Sequence, residues 1–387
     1  MCLQVVGIEL VKIILLTIPY ALVAGGERFH EQAKQLLKNT GIVAGNMVPI
    51  ESLIHSYVGD FESKPVDYRS VIGLLQAQLS NEAETGFEIR CLPRFDLEAL
   101  RRVAHTDEEE SLPTAPQLHA FPAFTIPSPV NPGPRPVFPE AYFSLFADQE
   151  VDTVPKTTDI AASLVRDAIV DTLNQLDFNR EIVAKFLVDV DCYWTIGIFA
   201  KRGTPFDKFR DVVQDKVQYK SEDMIIDAIF SQLFKLPSAE HKLVYYHSLI
   251  TQCCKVAPAA IAPSLGRGIR TIYKNLPMMD LELGYRFLDW FSHHLSNFEF
   301  RWRWAEWYVD PQNQFSYWHL FFSGGSFFFH FFFHFGSDAN PVFSGWRNSS
   351  YRACTQRRRS SWLCLTRRFA CRLRSAFVRP YPSPCIR

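Results

Sequence analysis

Between Phe298 and Trp307 the chain reads Phe-Glu-Phe-Arg-Trp-Arg-Trp-Ala-Glu-Trp, an alternation of flat rings and guanidinium groups. Bases stack on aromatic faces and phosphates pair with Arg, so Phe300, Trp302 and Trp304 with Arg301 and Arg303 have the residue types of a single-strand RNA platform. The same alternation describes an extended segment whose aromatic side packs on helices while its Arg side stays wet. Core or protein-interface packing is the preferred reading, and direct RNA binding through these five residues is the alternative. Just upstream, His293 and His294 offer imidazole nitrogens. Neighbours on a helix point about 100° apart and cannot hold one ion together. They read as satisfied interior or interfacial histidines, and no metal site is expected. Arg357-Arg358-Arg359 has the composition of a nuclear address or nucleic-acid patch, but the character of its surroundings argues against a selected role.

No catalytic set accompanies these residues. The chain has no Gly-rich phosphate loop, no HExxH, no nucleophile elbow and no close carboxylate pair in a Gly-rich loop. An enzyme reading therefore has no residue to rest on, and no cofactor is implied. Charge argues against a second class. Of 41 basic and 41 acidic side chains, eleven Arg and one Asp fall within 337–387, which leaves 30 against 40 in residues 1–336. So acidic a body is not a phosphate-binding basic protein. Cys2, Cys91, Cys192, Cys253 and Cys254 are scattered without CxxC or metal-ligand spacing. They read as buried free thiols of an intracellular protein.

The elements that must position the candidates are helices. At 387 residues the chain has room for two or three domains. In residues 1–110, Phe29, Ala33, Leu36 and Leu37 form one stripe, closed at Asn39-Thr40-Gly41, where Gly41 suits a left-handed stop. Tyr68, Val71, Ile72, Leu75 and Leu79 form another. The apolar run from Ile13 to Ala24 has no basic lead and contains Pro19. It reads as a core helix too short to span a bilayer, with no membrane role. Residues 111–155 form a Pro-rich linker: ten of the 24 prolines lie between Pro113 and Pro155. Interleaved Phe121, Phe124, Val137, Phe138, Tyr142 and Phe143 predict that it packs along a surface.

Residues 156–307 carry stripes at Val165/Ile169/Leu173/Leu176, Val183/Phe186/Leu187/Val190 and Ile225/Ile226/Ile229/Phe230/Leu233/Phe234, the last started by Ser221 as N-cap and stopped by Pro237. Leu243, Tyr246, Ile250 and Cys253 follow, then Pro258 and Pro263, then Ile269, Ile272 and Tyr273. The last stripe is Leu281, Leu288, Phe291, Leu295, Phe298. Helix starts recurring about every 20 residues predict an all-α, HEAT-like helical-repeat solenoid. Residues 308–387 are expected to be a disordered Phe- and Arg-rich tail. Phe codons are all-pyrimidine, so Phe327–Phe335 fits a translated intron or shifted frame beginning near Tyr308; cDNA that still encodes the run after splicing overturns this expectation.

At this point the residues carry a resemblance. Arg286-Phe287-Leu288-Asp289-Trp290-Phe291-Ser292-His293-His294-Leu295-Ser296-Asn297-Phe298, followed by Phe300-Arg301-Trp302-Arg303-Trp304, resembles the large subunits of the nuclear cap-binding complex. Phe230-Ser231-Gln232-Leu233-Phe234 with Leu236-Pro237 is similar to a preceding helix end. Ile160–Asp167 and Ile261–Arg267 resemble the fungal branch, and Glu9–Tyr20 resembles the close of the family's first domain. The resemblance implies three all-helical domains related to the middle domain of translation initiation factor 4G. This chain would hold the end of the first domain, the linker and most of the second. It also implies a nuclear scaffold without catalysis, whose small RRM partner subunit holds the 7-methylguanosine cap of mRNA. Export, splicing and decay factors are the further implied partners, with a nuclear location and shuttling to the cytoplasm. Trp290, Phe291, His293, His294, Phe298 and the alternating segment would then build the second domain's core or its partner interface.

Overall fold

The computed structural model describes residues 5–45, 70–94, 140, 142–147, 149, 151–212, 218–276, 279–299 and 301–302. All of them lie in one compact unit, Met1–Val309; a second unit, Asp310–Arg387, lies outside the described residues, as do the Phe run and the Arg triplet. The described part is helical without strands: Phe199 and Tyr219 form an isolated parallel bridge. The all-α expectation therefore holds.

Three helices come first: α1 (Val5–Gly25), joined by a 3-10 turn to α2 (His30–Gly45), and α3 (Val71–Glu84). Then follow α4 (Ile160–Gln175), α5 (Arg180–Val188), α6 (Phe206–Val212), α7 (Ser221–Leu233), α8 (Leu243–Val256), α9 (Pro258–Asn275) and α10 (Leu281–Asn297). Local chemistry sets their starts. Ser70 accepts from Gly73 N, Asp159 from Ala161 N, Asn179 from Glu181 N and Ile182 N, and Asp280 from Glu282 N, each satisfying an otherwise orphan donor. Pro258 sits in the first turn of α9, where its missing N–H costs nothing.

Most helices pack on a sequence neighbour and on one further element. α1 and α2 lie on α3; α3 passes to α4; α4 meets α5 and α7; α5 lies along α8; α7 also meets α9, and α8 meets α10. This is the side-by-side stacking of a helical repeat array. The core runs through it as Leu15, Leu75, Leu164, Leu173, Val183, Ile226, Phe230, Tyr246, Ile269, Phe287 and Trp290, all at most 1% exposed. Helix α7 is the axis, buried along nearly its whole length.

Several expectations need correction. The stripe of Phe29, Ala33, Leu36 and Leu37 does not stop at Gly41: α2 runs on to Gly45. Thr40 Oγ1 bonds back to the Leu36 and Leu37 carbonyls, and Gly41 lets the Gln76 amide approach to 3.2 Å of where a Cβ would stand. The glycine serves close packing on α3, with Ala33 and Leu37 inward and Phe29 and Leu36 exposed. Ser221 is the first helical residue of α7 rather than its cap; Lys220 holds that place, and the buried Ser221 hydroxyl has no partner among the described residues. Pro263 lies inside α9 instead of breaking it. In α10 the buried face is Leu283, Phe287, Trp290, Phe291, His294 and Leu295, while Leu281 is exposed. Cys192 is exposed, whereas Cys91, Cys253 and Cys254 are buried.

The amino-terminal apolar run is also longer than expected, since the 3-10 turn carries it into α2. By length and composition the stretch Glu9–Ile42 is enough to cross a membrane. It nevertheless turns Val11, Leu15, Ile18 and Leu22 inward as core.

Candidate functional site

The candidate residues converge on α10 and the turn after it. Trp290 is fully buried, its ring edge-on to Phe230 of α7 at 4.8 Å and tilted against Phe287 at 5.9 Å. His294, one turn later, stacks on Trp290 at 5.4 Å and leans on Phe298 at 4.7 Å. Phe291 lies flat against Phe287 at 5.6 Å. His293 is half-buried and faces His247 of α8 across 5.5 Å. Helical spacing explains the gathering, because 287, 290/291 and 294 share one face.

Burial decides what the imidazoles can do. Desolvation holds His294 down to about 4, and the neighbouring His293 adds repulsion. His247 is likewise pushed down to about 4 by burial, against an opposing pull from Asp289. Both are neutral at physiological pH, and Nδ1 of His294, Nε2 of His247 and Nε1 of Trp290 are buried without partners among the described residues. No group of three His, Cys, Asp or Glu side chains converges as a metal site among the described residues.

After Phe298 the chain turns through Glu299, whose φ of 56° is left-handed without being glycine, and Arg301 N bonds to the Phe298 carbonyl. This tight turn was not legible in the sequence. It leaves the Arg301 side chain 83% exposed, beside Glu299 at 2.9 Å. Trp302 turns the other way and stands edge-on to Phe291 at 5.6 Å, with the Arg270 guanidinium over its ring at 5.7 Å. The half-buried Trp302 ring thus meets protein groups at Phe291 and Arg270. Phe300, Arg303 and Trp304 lie outside the described residues.

Sequence reasoning missed the charged side chains inside the stack. Asp227 on α7 is 2% exposed and accepts from Leu145 N, from Ser144 Oγ and from the Arg166 guanidinium of α4. Arg166 also donates to the Phe143 carbonyl and lies 3.9 Å over the Tyr142 ring. Asp223 pairs with Arg267 of α9, which lies against Phe146 and Phe206. Arg286 of α10 donates to the Leu233, Lys235 and Pro237 carbonyls beyond α7, around the cis Leu236–Pro237 peptide. Partners 44 to 61 residues apart leave no spacing signal. The one available clue was an acidic residue in an otherwise apolar stripe, Asp223 and Asp227 in α7.

Helices paired in series, an aromatic seam and buried ion pairs define an all-α helical-repeat packing domain. Residues 155–318 match the MIF4G-like family. Over 208 residues, 53% of this chain and 26% of the relative, it is 39% identical to nuclear cap-binding protein subunit 1 of Schizosaccharomyces pombe. It is 39% identical over 164 residues to nuclear cap-binding protein complex subunit 1 of Eremothecium gossypii, covering 42% of this chain and 19% of that one. It is 41% identical over 83 residues to the human protein of the first name, covering 21% and 10%. The chain thus spans about a quarter or less of the length of these curated relatives.

Proposed function

We propose that the chain acts as the large, scaffolding subunit of a nuclear mRNA cap-binding complex. In this reading a small RRM subunit holds the 7-methylguanosine cap, and the helical body supports it. The same body recruits splicing, export and decay factors in the nucleus, accompanies the messenger to the cytoplasm, and carries out no catalysis. The carrying observation is the 39% identity over 208 residues to a protein named as a subunit of that complex. The geometry supports it: an acidic stack whose aromatic seam at Trp290 is turned inward offers surface for proteins, and Trp302 is engaged by Phe291 and Arg270.

Affinity purification of the tagged full chain from nuclear extract tests the proposal. An RRM protein should co-purify and bring retention on immobilised cap analogue, released by free cap analogue. Retention with no RRM protein present, or an RRM partner that never appears, overturns it. The alternative, direct RNA binding by the Phe300–Trp304 segment, predicts RNA retention by the purified chain alone.

A further inference from the structure

The first three helices and the later ones are stitched together by residues 140–146. The Glu140 carbonyl accepts from Val71 N at 2.8 Å, at the start of α3. Its carboxylate is bracketed by two lysines: Oε2 accepts from Lys12 of α1 at 2.9 Å, and Oε1 faces Lys235, just beyond α7, at 3.9 Å. The three side chains are only 23–30% exposed, yet each reaches solvent. A cavity of about 50 Å³ opens beside them, lined also by Arg166, Asp167 and Gln232. Nε of Arg166 is buried without a partner among the described residues.

We infer that this cleft is a seat for an acidic side chain of a partner protein, and that Glu140 is its occupant in cis. Three cations from α1, α4 and the end of α7 face one small space, in a body whose net charge is negative. Each carboxylate oxygen of Glu140 meets its own lysine, which is the geometry of carboxylate recognition. The downstream residues are anchored separately, Phe143 through Arg166 and Ser144 and Leu145 through Asp227, so the Glu140 end can lift while the rest stays.

Charge balance agrees. The acids facing the lysines are Glu9 on α1 and Asp167 on α4, with Asp171 one turn beyond. Burial and Asp171 push the Asp167 carboxyl up to about 6. Burial raises the Glu140 carboxyl, but Lys12 and Lys235 outweigh it and hold the group below its usual range.

The probe is a fluorescein-labelled Pro-Glu-Ala-Tyr amide, a copy of residues 139–142, titrated into the full-length chain by fluorescence anisotropy. Glu140→Gln vacates the lysines, so this variant should bind at least tenfold more tightly than the unaltered chain. Charge reversal in Glu140→Gln/Lys12→Glu/Lys235→Glu should abolish binding, as should Gln for Glu in the peptide. A second readout uses the unaltered protein: millimolar peptide should accelerate hydrogen exchange at Val71 N–H, which loses its carbonyl partner, and leave the α7 amides unchanged. Equal binding to the unaltered and Glu140→Gln chains, binding that survives either charge change, or no exchange effect at Val71 overturns the inference.

Discussion

Asp227→Ala removes the acceptor around which α4, α7 and the segment at 142–146 are organised. The carboxylate is 2% exposed and the Arg166 side chain 11%, so deletion leaves a guanidinium in the interior with no anion, and orphans Leu145 N and Ser144 Oγ. Breaking a buried pair from one side costs about 3–5 kcal/mol. At about 2–4 °C per kcal/mol for a domain of 150–250 residues, the melting temperature should fall by roughly 6–20 °C. The reverse experiment separates charge from packing. Arg166→Met/Asp227→Leu removes both partners and fills similar volume, and should cost less than either single change. Urea midpoints and thermal melts of the two singles and the double complete the cycle. A loss under about 1 kcal/mol for Asp227→Ala, or a double as costly as the two singles summed, would refute the assignment of this pair as the organising contact.

The imidazoles set a pH dependence. Both His247 and His294 have folded values of about 4, below the usual 6.5, so the unfolded chain takes up their protons first. Stability should be level above about pH 7 and fall as pH drops from 6.5 towards 4, by up to about 3 kcal/mol per residue at 1.36 kcal/mol per pKa unit. His294→Gln should flatten that slope in urea midpoints measured across pH, and an unchanged slope would count against the mechanism. Trp290→Ala empties the centre of the aromatic seam and should cost about 3–5 kcal/mol in chemical denaturation, with Trp290→Phe costing much less. Arg301→Ala touches an exposed ion pair and should change stability by under about 0.5 kcal/mol; it should also leave RNA retention by the purified chain unmoved, and a several-fold loss of retention would favour the direct-binding reading.

Legibility differed by element for physical reasons. The one cap read from the sequence, Ser221, lies inside α7, whose start at Lys220 has no side-chain cap; the caps of α4, α5 and α10, Asp159, Asn179 and Asp280, act within three residues of themselves and went unread. The apolar stripe of α7 was legible because six large side chains fall on one face. In α10 two registers compete, Leu281/Leu288 against Leu283/Phe287/Trp290, and the second wins by placing Trp290 on Phe230 and Arg286 on three carbonyls. Apolar residues among prolines predicted that the linker packs. Of those named, Phe121, Phe124, Val137 and Phe138 lie outside the described residues, while Tyr142 and Phe143 are buried, with Leu145 and Phe146 beside them. Where they pack was hidden, since their receptors are Arg166, Asp227 and Gly268, whose missing Cβ leaves 3.4 Å to the Phe146 ring. At the candidate site the resemblance placed Trp290 and His294, whereas Phe291, Leu295 and Phe298 were readable from spacing. The inward turn of Trp302 was not, because it hangs on the left-handed Glu299.

The bond between Lys12 and Glu140 spans 128 positions, and that distance has a meaning in time. A ribosome adds roughly 5–20 residues per second, so Lys12 is made on the order of 10 s before the carboxylate that neutralises it. Helix–coil relaxation takes about a microsecond, so the wait is long on the scale of local structure formation. The tyrosine and phenylalanines that cover Arg166 are synthesised just before it, whereas Asp227 arrives 61 residues later. For those seconds Lys12 lacks the Glu140 carboxylate and, later, Arg166 lacks Asp227, while the third cation of the cleft, Lys235, is made only after α7. Slowing translation between residues 140 and 227 should lengthen that window, and it is in this interval that a chaperone or an acidic partner segment has its best access to the growing chain.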